Sequence, residues 1–139
     1  MTKEEKELVF KDLSARLPYH VRCKIWLKDG MTEEGPLDLE HNYADVLRDA
    51  FYYNKIKDIK PYLRSMSSMS EEEFLEYHDI KYNKVTYRHN YKRFDVGKFA
   101  NVGIIPIEDY LDWLNSHHFD YRGLIEKGLA IEAPKEMYT

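Results

Sequence analysis

The sequence predicts an α+β fold: a small, mainly antiparallel sheet packed against N-terminal and C-terminal helices. Three observations carry that expectation. Residues 19–27, "YHVRCKIWL", alternate apolar and polar side chains with period two, the pattern of a half-buried strand. Near either end of the chain, apolar residues recur instead at helical spacing: Val9, Leu13 and Leu17 first, then Ile107, Tyr110, Leu111 and Leu114. Between them "VTYRHNYKRF", residues 85–94, reads as a further two-stranded hairpin. With 139 residues the chain fits a single domain, 1–139, around one hydrophobic core.

Each element has a local reason. Thr2 followed by Glu5 is a capping-box pattern, and the helix it opens carries Val9, Leu13 and Leu17 with Phe10 beside them. Pro18 stops it. On the following strand Tyr19, Val21, Cys23, Ile25 and Leu27 face one way, and His20, Arg22, Lys24 and Trp26 the other. "KDGMTEEGP" reads as a loop, after which Leu37 and Leu39 open a second short strand. Tyr43, Val46, Leu47, Ala50 and Phe51 follow a helical repeat over residues 43–54. "IKDIKPYLRSMS" reads as a connection or an edge strand, since Pro61 cannot donate to a ladder. Ser70 with Glu73 is a second capping box and starts a short acidic helix through about Asp79.

"VTYRHNYKRF" reads as a hairpin turning at His89 and Asn90, because asparagine tolerates positive φ. Pro106 suits a first helical position. Asp120 is a good N-cap for a further short helix, "YRGLIEK", closed by Gly128 in a left-handed conformation. "LAIEAP" leaves as a short strand or extended tail. The expected core is Tyr19, Val21, Ile25, Leu27, Leu111, Leu114, Leu124 and Ile125.

Composition narrows the function classes. An apolar fraction of 43% with 33% charged residues is a globular balance rather than a disordered one. The single cysteine, Cys23, excludes an intramolecular disulfide and a four-thiolate zinc site, and its apolar setting suits a small buried hydrophobe. The N-terminus has no apolar signal core and no run approaches a membrane span, so a cytoplasmic protein with no membrane partner is expected. Net charge is −4, against indiscriminate binding of nucleic acid by the whole surface. Charge is nevertheless uneven. Residues 81–98 hold six Lys/Arg against Asp95 alone, while the other 15 basic residues face 24 acidic ones. One basic island, +5, sits in a chain that is otherwise −9.

Two long strings carry a resemblance. "IKPYLRSMSSMSEEE" (residues 59–73) and "DWLNSHHFDYRGLIEKGLAIEAP", followed by "MY" (residues 112–138), resemble a family of small proteins of gut Bacteroidales genomes, often within prophages and mobile elements. The two blocks cover about a third of the chain, and the basic island lies outside them. The resemblance implies a mobile-element setting and an accessory role, such as countering host defence, modulating a host protein or assisting phage DNA work. It carries no catalytic residues, the family being uncharacterised.

Two constellations then deserve weighing. His117, His118, Asp120, Tyr121 and Arg122 are chemically capable, yet a metal centre wants ligands converging from different elements, and adjacent histidines point their rings apart. Zinc-binding helices space histidines four apart, and Ser116 has no nucleophile motif around it. A packing role accounts for each: two histidines ending a helix as imidazolium against its dipole, Asp120 capping the next, Phe119 plugging the junction, Arg122 pairing with a carboxylate. The second constellation is the basic segment. Tyr87 and Tyr91 interleaved with Arg88, Lys92 and Arg93 suit bases and phosphates, a phosphorylated ligand or an acidic protein patch. A solvated ribbon with its rings in the core has the same composition. No glycine-rich phosphate loop is present, and neither a cofactor nor a metal is expected. The leading expectation is a non-catalytic accessory protein that binds a host or phage protein. The alternative is a nucleic-acid or phosphorylated-ligand module using residues 81–98, and an enzyme built on His117, His118 and Asp120 comes third.

Overall fold

The computed structural model describes residues 1–37, 56–79 and 104–138. The expected helix over 43–54 and the basic hairpin, with Arg88, Lys92, Arg93, Tyr87 and Tyr91, lie outside the described residues. Among the described residues the fold is α+β with a four-stranded, mostly antiparallel sheet. The chain forms two compact units, Met1–Met66 with Asn115–Thr139, and Ser67–Leu114.

In the first unit, helix α1 (Lys3–Arg16) begins where the Thr2 hydroxyl accepts from the Glu5 amide at 3.1 Å. Pro18 diverts it into a 3-10 turn, Leu17–Tyr19, and His20 turns left-handed at φ 55°. Strand β1 (Arg22–Leu27) follows, with Cys23 and Ile25 buried as the alternation requires. The segment expected to be a loop contains a strand. A tight turn, in which Leu27 N–H donates to Met31 O at 2.8 Å, returns the chain as β2 (Thr32–Pro36), antiparallel to β1. Gly30, at φ 92°, supplies the left-handed residue of that turn. Glu33, Glu34 and Gly35 have poor strand propensity, and pairing with β1 overrides it; charge on an edge strand also discourages further pairing.

Strand β3 (Ile56–Leu63) is central rather than an edge, which corrects the reading from Pro61. The order is β2-β1-β3-β4, with β4 (Ile131–Glu132) parallel to β3. Pro61 lies opposite Cys23 of β1, while β4 pairs only with Tyr62 and Leu63, so the proline stands beyond the parallel ladder. The core gathers Val9 and Leu13 of α1, Val21, Cys23, Ile25, Leu37, Ile56, Ile59 and Leu63, then Leu124, Leu129 and Ala130. Leu27 and Ile125 pack at its margin. Tyr19 is only half-buried and Phe10 is 44% exposed, so the inward face of α1 is Val9, Asp12, Leu13 and Arg16. Burial pushes the Cys23 thiol far above its ordinary range, as suits an inert packing residue.

The helix expected from Tyr121 to Lys127 is instead a series of turns. Gly123 at φ 74° interrupts helical geometry early, and Gly128 at φ 72° takes the left-handed conformation its position suggested. In the second unit, α2 (Glu71–His78) opens on a complete Ser70–Glu73 capping box. Helix α3 (Ile104–Ser116) starts two residues before Pro106, which its first turn accommodates, and its last two residues belong to the first unit. Tyr77 packs on Trp113 and Tyr110 at centroid distances of 5.6 and 6.1 Å, and Trp113 Nε1 donates to Glu76 at 2.9 Å. Leu114 is buried but Leu111 only partly so. Among the described residues, no helix is long and apolar enough to cross a membrane.

Candidate functional site

The cluster His117–Arg122 is built around a charge pair that the sequence reading did not single out. Asp12 and Arg16 are four residues apart on the inward face of α1, and both are fully buried. Arg16 Nε donates to Asp12 Oδ2 at 2.8 Å, and Arg16 Nη2 donates to the carbonyl of Phe119 at 2.6 Å. Arg122 reaches the other carboxylate oxygen, its Nη1 donating to Asp12 Oδ1 at 2.7 Å. One carboxylate thus holds two guanidinium groups, one from each end of the chain. The Tyr121 ring faces both, 4.5 Å from the Arg122 guanidinium carbon and 5.5 Å from that of Arg16. Its hydroxyl donates to Asn115 Oδ1 at 2.9 Å.

Asp120 behaves as a cap, but of turns. Its two oxygens accept from Leu124 N–H and Ile125 N–H, each at 2.9 Å. Its own amide donates to Arg64 O, while Arg64 N–H donates to His118 O, both at 2.8 Å, extending β3 by one parallel bridge at Phe119. Phe119 is fully buried under the Arg64 guanidinium, 4.2 Å from its ring centroid. The expected plug is therefore present.

The two histidines go to different neighbours. His117 stacks on Phe119 at 6.5 Å, with Nδ1 3.0 Å from the Ser116 hydroxyl. His118 takes a left-handed conformation at φ 64° and stacks on Tyr138 with centroids 3.7 Å apart. Burial, then the positive charge of Arg16, His117 and Arg64, lowers its pKa to about 4. His118 is a neutral packing ring at neutral pH, which corrects its assignment as an imidazolium set against the helix dipole. Tyr138 itself pins two strands: its hydroxyl donates to Tyr62 O at 2.7 Å and accepts from Arg22 N–H at 2.9 Å. Burial pushes the Tyr138 phenol well above its ordinary range, so it keeps the proton that it donates.

All five residues singled out from the sequence are brought together, and each has a structural partner. Their geometry is that of a fastening between α1, the end of β3 and the C-terminal segment. Histidine and carboxylate do not converge on a common point, and among the described residues no group of three or more His, Cys, Asp or Glu is placed to hold a metal ion. Asp12 and Arg16 had one available signal: an i, i+4 acid–base pair flanking Leu13 on the apolar face. Tyr138 had none beyond its place in the second family-like block. No family model matches the chain, nor does any curated protein or solved structure.

Proposed function

We propose that the chain acts by binding a protein partner and performs no catalysis, with α2 as its recognition element. The observation that carries this reading is the face of α2 formed by Glu71, Phe74, Leu75 and His78, at spacing i, i+3, i+4, i+7. Phe74 and Leu75 are 52% and 58% exposed, while Tyr77, on another side of the helix, packs against Trp113. Large exposed apolar side chains on one short, well-capped helix fit insertion into an apolar groove. Glu71, Glu72 and Glu76 surround them with negative charge, so the complementary groove has a basic rim. The engagement of His117, His118, Asp120, Tyr121 and Arg122 in the fastening supports assigning those residues to stability rather than chemistry.

In the mobile-element setting that the family resemblance implies, the partner is a host or phage protein met in the cytoplasm. The test is affinity capture with tagged protein from Bacteroidales lysate, with and without nuclease, comparing wild type with F74D/L75D. A stoichiometric protein that survives nuclease and is lost in the variant supports the reading. Capture unchanged in a folded variant refutes it. The alternative, an anionic partner held by the basic segment, is tested by R88A/K92A/R93A, which must lose all nucleic-acid or phosphate-dependent binding if that reading holds.

A further inference from the structure

The outer face of the sheet in the first unit carries an aromatic and cationic group that the core does not use. Alternation on β1 sends Cys23 and Ile25 inward and leaves Arg22, Lys24 and Trp26 half-buried on the opposite face. Register places Lys24 between Glu34 of β2 and Lys60 of β3, and Trp26 between Thr32 and Asp58. The ammonium groups of Lys24 and Lys60 lie 5.4 and 5.7 Å from the Trp26 ring centroid. Like charges directly across a ladder repel, and the indole face between the two lysines offsets part of that repulsion by cation–π attraction. The carboxylates nearby compensate them unequally, Lys24 being ion-paired with Glu34. Glu34 accepts the Tyr62 hydroxyl and stands 3.8 Å from Lys24, and Asp58 Oδ1 accepts from the Ile59 amide. Among the described residues Lys60 has no carboxylate partner.

We infer that this face binds single-stranded nucleic acid, one base stacking on Trp26 and the flanking phosphates meeting Lys24 and Lys60. A base stacking on the indole displaces the lysine ammonium groups from over the ring to the flanking phosphates, where they replace the counterions of the strand. A duplex keeps its bases stacked on each other and cannot use the ring. Arg22, two residues from Lys24 on the same face, continues the cationic row. This activity goes beyond the protein-binding reading, does not depend on it, and uses none of the basic-segment residues.

The experiment follows fluorescence anisotropy of short labelled oligothymidylate and oligouridylate with the full chain, while tryptophan emission is recorded. Saturable binding at low salt is expected, with quenching that is lost in W26L. Two lysine–phosphate contacts at about 0.7 each predict a slope of about −1.4 for log affinity against log salt. K24E/K60E should weaken binding roughly tenfold or more and flatten that slope. The neutral pair K24Q/K60Q repeats the comparison should charge reversal disturb the thermal unfolding curve. The inference is overturned if no binding occurs at low salt, or if a duplex binds as tightly as single strands. It is equally overturned if W26L and the lysine variants bind like wild type, including the case in which R88A/K92A/R93A abolishes binding instead.

Discussion

Asp12 decides how the two ends of the chain meet. Its carboxylate is fully buried and shared by Arg16 and Arg122. Such a pair is costly to desolvate, and removing one partner leaves charge buried without compensation. Asp12→Ala is expected to lower stability by about 3–5 kcal/mol, measured by urea denaturation. Replacing Asp12, Arg16 and Arg122 together by Leu, Met and Met should cost far less, because no charge is then stranded. Equal losses in the two variants would show that shape, not charge, holds this junction. His118 gives a pH signature. Its folded pKa of about 4 lies below the ordinary 6.5, so between those values the unfolded chain binds more protons than the folded one. Its contribution is complete above pH 6.5 and is lost as pH falls towards 4, with a slope of at most about 1.4 kcal/mol per pH unit. His118→Gln should flatten that part of the stability profile, and an unchanged profile would contradict the assignment.

At the scale of elements, the C-terminal segment is held by the Tyr138 phenol as well as by β4. Tyr138→Phe keeps the ring stacked on His118 but strands the Arg22 amide and the Tyr62 carbonyl. A loss of about 1–3 kcal/mol is expected, with faster hydrogen exchange at the Arg22 amide. Ser70→Ala should cost about 1 kcal/mol by removing the cap of α2, read as reduced helicity. How legible these elements were follows from how local their causes are. The caps at Thr2 and Ser70, the stop at Pro18 and the alternation of β1 depend on neighbours within a few residues, and all are present. Strand β2 and the central place of β3 depend on pairing between distant segments. Glu33, Glu34 and Pro61 argued locally against a ladder, and the tertiary partner prevailed. The missing helix after Asp120 has a local cause, Gly123, whose left-handed φ outweighed the capping signal.

For the molecule as a whole, the candidate cluster was legible in membership but not in meaning. The sequence placed His117, His118, Asp120, Tyr121 and Arg122 side by side, yet their roles come from Asp12, Arg16, Arg64 and Tyr138, which are distant in the chain. Arg122 was expected to find a carboxylate, and only the fold identifies it as Asp12. Chemistry-bearing residues in this way serve the fastening, while Phe74 and Leu75 of α2 remain exposed. We propose that function resides in the Phe74 and Leu75 face, separable from the fastening that maintains the fold. The most direct measurement is nuclease-treated affinity capture with wild type and F74D/L75D, each with its thermal unfolding midpoint. Loss of a stoichiometric protein partner at an unchanged midpoint is expected of the variant. Full capture by the folded variant would contradict it.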